Sequence, residues 1–278
     1  MASNSMFQLA NERGWRAGFA NLLRKENRDW WGTRTWLVQA IIWTLILNGV
    51  LATVLFAPIK QATVQSPAGD ATLIEGKDVL GMTVFFALAG IALAIGAVII
   101  GQEEVLDEKR SGTAAWILSK PVSRVAFILA KLASNAIGIL IIMVLLQGMI
   151  AYLLLTGATG SAPPIGSFLG ALGVLYLEVM FYFTLSLMLS AVSDSRGAAI
   201  GIPMAILFGY QFVQGVAPWL GQIMPWALTS TIGPQSNAIA LALVLGQPIA
   251  SITPIIATAV WCALFMAIAV WRFNREEF

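Results

Sequence analysis

Glu178 stands out for its setting alone: it lies in an otherwise uncharged apolar stretch. Tyr182 and Ser186 follow at i+4 and i+8, so on a helix a polar stripe runs down one face. An ionised side chain in the middle of a membrane helix costs roughly 3 kcal/mol on insertion scales. Two readings stay open. Glu178 lines a pathway, with Tyr182, Gln211 and Gln214, and meets a cationic substrate or moves a proton; or it is a hydrogen-bonded Glu that fixes helix packing, to Gln147, Tyr210, Gln211 or Gln214. The other concentration of chemistry is Glu103, Glu104, Asp107, Glu108, Lys109 and Arg110, followed by a Ser111-Gly112 turn. Beyond these, little is on offer. There is no histidine, and one cysteine, Cys262, lies in an apolar run. That excludes disulfides, zinc clusters of cysteine and histidine-based acid–base or metal chemistry. No G-x-x-x-x-G-K-[ST] loop is present: Gly112 to Lys120 lacks the second glycine and reads as helix. With one embedded Glu and no embedded Asp there is no dyad, so the chain is expected not to be an enzyme and to hold no metal.

The elements that position these residues are set by composition. Of 278 residues, 58% are hydrophobic and 11% charged, against roughly 25% charged in a soluble domain. A water-soluble fold could not cover its surface with so few charges. Six stretches approach the roughly 20 apolar residues that cross a bilayer: 35–57, 80–101, 132–155, 168–190, 198–217 and 253–271. Ser236 to Gly246 is too short to cross and reads as a re-entrant or interfacial helix. The sequence predicts an all-α polytopic membrane protein, residues 1–278 forming one domain. No cleavable signal is visible in the polar, basic and aromatic residues 1–34.

Lys and Arg set the orientation. Fourteen fall on one side: residues 13–34, the loop 109–131, Arg196, Arg272 and Arg275. Only Lys60 and Lys77 fall on the other. Both ends and the 102–131 loop are therefore expected in the cytoplasm. The outer loops are 58–79, 157–167 and the long 218–252, in which Trp219 and Trp226 are expected at headgroup depth. Gly166, Gly170 and Gly173 would let another helix approach span four.

Before the first span, Trp15, Phe19, Leu22, Leu23 and Trp30 recur at helical spacing, with Arg16, Arg24, Lys25 and Arg28 between them. Such a helix is expected to lie flat at the interface, its aromatic side in lipid. In the 102–124 loop, Gly112 can take positive φ, Thr113 to Leu118 is a short helix carrying Trp116, Ile117 and Leu118, and Ser123 caps the next helix. A Trp-Ile-Leu cluster facing water should dock on something.

The run EKRSGTAAWILSKPVSRVAFILAKL resembles the segment between spans two and three in permeases of the second-type family of ATP-binding-cassette (ABC) exporters. The matching positions are Glu103, Glu104, Glu108, Gly112, Thr113, Leu118, Ser119, Pro121, Ser123, Arg124 and Lys131. LSLMLSAVSDSRGAAIG, Leu185 to Gly201, is similar to that family's junction between spans four and five. The resemblance implies a permease with no nucleotide site, driven by ATP and Mg bound on a separate ATPase, two copies of each assembling. It implies ATPase docking through Glu103, Glu104, Asp107, Gly112, Thr113, Trp116, Ile117 and Leu118, with Arg196 a second contact. The partners are thus an ATPase, a second permease copy and membrane lipid, not nucleic acid. The resemblance also implies the plasma membrane of a prokaryotic cell as the setting and export as the direction. The competing classes are an ion-coupled secondary transporter using Glu178 and a non-transporting anchor or sensor subunit. No residue selects a substrate.

Overall fold

The computed structural model describes residues 14–57, 62–65, 71–74, 76–213, 216–230 and 238–276. A short helix, α1 (Phe19–Trp31), precedes the first long one, which joins α2 (Thr35–Trp43), a π-helical turn (Thr44–Asn48) and α3 (Gly49–Phe56). Two strands follow, β1 (Ala62–Gln65) and β2 (Ala71–Ile74), paired antiparallel with Ala62 opposite Ile74. Next come α4 (Lys77–Glu103), α5 (Leu106–Arg110) and α6 (Thr113–Leu118). Another long helix joins α7 (Arg124–Gly138), a π-helical stretch (Ile139–Leu145) and α8 (Leu146–Thr159). Then follow α9 (Ile165–Val192) and α10 (Arg196–Val213), two 3-10 turns at Pro218–Gln222 and Pro225–Leu228, α11 (Ile239–Val244) and α12 (Thr253–Asn274).

Five of these helices are long and apolar enough to cross a membrane: Thr35–Phe56, Lys77–Arg110, Arg124–Thr159, Ile165–Val192 and Thr253–Asn274. In hydrocarbon each backbone N–H and C=O must be paired within the chain, which a continuous helix achieves by itself. Of the remaining predicted stretch, 198–217, residues 198–213 lie in α10. Its 18 residues make roughly 27 Å of helix at about 1.5 Å per residue, close to the hydrocarbon thickness of roughly 30 Å. The helices also run past the predicted apolar limits into charged residues, because hydrogen bonding continues where the bilayer stops.

α9 is the hub. α4, α12 and α11 pack on it, and most of it is buried, whereas the first long helix and α12 leave most of their surface outward. Gly112, at φ 73°, turns α5 into α6, and Ser123 Oγ caps α7 by accepting from the Val125 and Ala126 amides. One end of the bundle gathers α1, α5, α6, the 193–195 turn and the end of α12. This is the charged end.

Three sequence expectations change. Among the described residues the regular elements are helical apart from the β1–β2 ribbon, which lies in the expected outer loop 58–79; threonine, valine and isoleucine in these segments favour extended backbone. In α1, Leu22 and Trp30 turn into the protein rather than toward lipid. The physical reason is polar: Trp30 Nε1 donates to Asn135 Oδ1 at 2.8 Å, and Glu26 on the same face meets Lys131. Phe19 and Leu23 are half-buried beside them, and Trp15 stays exposed. Trp226, expected at headgroup depth, is buried, its Nε1 donating to the Ile206 carbonyl at 2.9 Å; Trp219 is exposed.

Candidate functional site

At the charged end, Lys131 is 3% exposed and reaches three carboxylates: Glu108 at 3.1 Å, Glu26 at 3.3 Å and Glu104 at 3.3 Å. Lys25 adds contacts to Glu108 (2.7 Å) and Glu26 (2.9 Å). A buried ammonium is tolerated when its partners satisfy it, and here they come from three elements. α1, the end of α4 and α5 are thereby held on α7. A cavity of about 340 Å³ opens beside this hub, lined by Trp30, Glu103, Glu104, Lys131 and Asn135.

A second set of contacts ties α5 to the far side. Asp107 pairs with Arg196, and Arg110 donates to the Asp194 carbonyl at 2.7 Å. Lys109 meets Glu276 at 2.6 Å and Asp194 at 3.0 Å. Arg124 donates to the Asn274 carbonyl (2.9 Å) and the Glu276 carbonyl (2.5 Å), at the end of α12 where a cation also suits the helix dipole. The Lys109 ammonium holds the Asp194 carboxyl below the usual carboxylate range, chiefly through their hydrogen bond.

α6 projects from this bolted stem. Trp116 is 62% exposed, with Lys120 Nζ 3.4 Å from its ring centroid. Ala114 and Ile117 face the chain's own core, and Leu118 is half-buried against it. Of the predicted docking residues, Gly112, Thr113 and Trp116 thus sit on the projecting piece. Glu104, Asp107 and Arg196 are engaged within the chain, and Glu103 accepts from Gln102 at 2.9 Å.

Glu178 is the other centre. It is 2% exposed, halfway along α9, and Oε2 accepts from Thr229 Oγ1 at 2.5 Å. A Cβ at position 90 would collide with that Thr229 hydroxyl, so Gly90 of α4 makes the approach possible. Two more bonds anchor the segment that carries Thr229: Trp226 to the Ile206 carbonyl, and Trp261 Nε1 to the Ile223 carbonyl at 3.0 Å. Tyr182, one turn on, is fully buried, and its hydroxyl has no hydrogen-bond partner among the described residues. The Trp226 indole comes near it but directs its N–H at Ile206.

Two of the four packing partners expected for Glu178 are placed elsewhere. Gln147 binds Thr44 and Asn48 instead, and Tyr210 lies against Trp226. Gln214 and the Gln211 side chain lie outside the described residues. Thr229 carried no signal in the sequence, being one hydroxyl in a Pro-rich stretch. Lys131 is among the matching positions of the sequence, but its three carboxylate partners left no local pattern there.

A family model described as ABC-2 family transporter protein matches residues 20–278. No curated protein matches the chain.

Proposed function

We propose that this chain, which belongs to the ABC-2 transporter permease family, is the membrane subunit of an ABC exporter driven by ATP and Mg on a separate ATPase. The match over 20–278 is the observation that carries this reading. In it, α10 is the sixth span, the charged end is cytoplasmic, and two permease copies pair in the plasma membrane with two ATPases. The excess of Lys and Arg at the charged end supports that orientation. A Cβ added at Gly166, Gly170 or Gly173 would meet nothing closer than 3.9 Å among the described residues, so in this reading that face of α9 is open to a second copy.

α6 is the docking piece. Its Trp116 stands clear of the chain, while α5 is ion-paired to α1, α7, the 193–196 turn and α12. A push on α6 would therefore move the ends of several helices together. The permease-to-permease contact is the element that would switch between inward-closed and outward-open arrangements. Glu178 and Tyr182 line the pathway in this reading, and the sequence adds Gln211 and Gln214 as candidates.

Purification from native membranes in mild detergent tests it. Wild type brings down an ATPase with a phosphate loop, and Trp116→Asp loses it. If neither brings one down, ion-coupled transport through Glu178 becomes the reading to pursue.

A further inference from the structure

Glu178 accepts one hydrogen bond from the described residues, Thr229 Oγ1 at 2.5 Å. A glutamine would accept that bond equally well and would insert into a bilayer at lower cost. What the carboxylate adds is charge. Among the described residues no cation pairs with Glu178, and between Lys131 and Arg272 the only basic residue of the sequence is Arg196, which is at the charged end and paired with Asp107. A cation that pairs with an ionised Glu178 therefore comes from outside the described residues.

The surroundings indicate its kind. Phe181, next to Tyr182, stands 5.4 Å from Phe265, and Phe265 stacks on Trp261 at 5.6 Å between ring centroids. Met204 and Met224 pack on the same cluster. Aromatic faces and adaptable thioethers suit a bulky organic cation. A small metal ion would need about six oxygen ligands, which the described residues do not bring together there. The Tyr182 hydroxyl, without a hydrogen-bond partner among the described residues, gives such a guest one more polar contact.

Thr229 occupies the position that the cation would need. We infer that Glu178 is the recognition residue for a lipophilic organic cation, and that the cation competes with Thr229 for the carboxylate. Binding then releases one of the three side-chain hydrogen bonds that hold the 216–230 segment in the bundle. The biological role of this site rests on the permease reading; its chemistry does not, and no ATPase is needed to test it.

The test is equilibrium binding of tetraphenylphosphonium to the purified chain in nanodiscs of zwitterionic lipid, with empty discs subtracted. Glu178→Gln keeps the acceptor for Thr229 and the shape of the side chain but removes the charge. Wild type binds saturably, Glu178→Gln binds about tenfold more weakly or worse, as expected for loss of a desolvated charge contact, and Thr229→Val binds more tightly because the competitor is gone. Tetraphenylborate, of the same shape and opposite charge, does not bind. Equal binding by wild type and Glu178→Gln, no saturable binding by wild type, or equal binding of the anion overturns the site. Binding by Thr229→Val that is no tighter than wild type overturns the competition. The permease reading is judged separately by capture of the ATPase.

Discussion

The Ser186 hydroxyl lies 2.9 Å from the Ala199 carbonyl oxygen, the one oxygen of α10 that Pro203 leaves without its helical N–H donor. A proline at position i removes the bond to the carbonyl at i−4, and Ala199 is four residues before Pro203. In a membrane helix that oxygen must be met by a neighbour. Ser186 of α9 meets it while also lying 3.1 Å from the Val98 carbonyl of α4, so three helices share one hydroxyl.

Ser186→Ala is therefore expected to destabilise the bundle by about 1 kcal/mol, within the range measured for membrane hydrogen bonds. Pro203→Ala restores the backbone donor, so Ser186→Ala should cost less in that background. Thermal unfolding of the four proteins in detergent closes the cycle. Equal cost in both backgrounds would separate the serine from the proline.

The two π-helical segments are joined by a similar arrangement. Gln147 Oε1 accepts from Asn48 Nδ2 at 2.9 Å and from Thr44 Oγ1 at 3.1 Å, and its Nε2 donates to the Ile142 carbonyl at 3.2 Å. Gln147→Leu strands buried Asn48 and is expected to lower stability by about 1–2 kcal/mol. Removing both amides, as Asn48→Leu with Gln147→Leu, should recover part of that loss. A double variant less stable than Gln147→Leu alone would show that the amides do more than satisfy one another.

What the sequence conveyed and what it withheld divide along physical lines. Hydropathy located the long helices because a bilayer demands about twenty apolar residues wherever the chain crosses. It missed where they end, since Lys77 and Arg124 continue the helices into charge. Turn and cap chemistry was legible at Gly112 and Ser123, where one residue decides the local backbone. Pairing across the fold was not. Thr229 lies 51 residues from Glu178, and Trp30 105 from Asn135, and neither pairing leaves a local pattern. Periodicity likewise marked one face of α1 as apolar but could not say whether lipid or α7 covers it.

The ion pairs outside the spans set a pH window. Burial works against the charge on Lys25, but the hydrogen bond to Glu108 and the charge of Glu26 outweigh it and raise the amine above its ordinary 10.5. That contribution is full below the ordinary value and is lost as pH rises through the folded one. Asp194, held below its ordinary 3.8 by Lys109, contributes above that value and loses the contribution as pH falls through its lower folded one. Neither Lys25 nor Asp194 should titrate between about pH 5 and pH 9. Energy transfer between labels at Asn21→Cys and Lys120→Cys, with Cys262→Ser, should be flat across that window and fall above about pH 10.5 as α1 loosens. A change centred near neutrality would assign the control to another group.

Lys131 bears the largest structural load at the charged end. Its partners Glu26, Glu104 and Glu108 have side chains only 8%, 16% and 15% exposed, so removing the cation leaves three carboxylates close together with Lys25 alone to offset them. Breaking a buried pair from one side costs about 3–5 kcal/mol, more than the pair contributes when intact. Lys131→Met should therefore lower the unfolding temperature sharply and free α1, seen as faster tryptic cleavage at Arg24 and Arg28. Adding Glu104→Gln removes one of the stranded charges and should restore part of the stability, while Glu104→Gln alone should cost less than Lys131→Met. If Lys131→Met protects α1 as well as wild type does, the helix is held by Trp30 and Leu22 alone, and the push from α6 must reach the first long helix by another route.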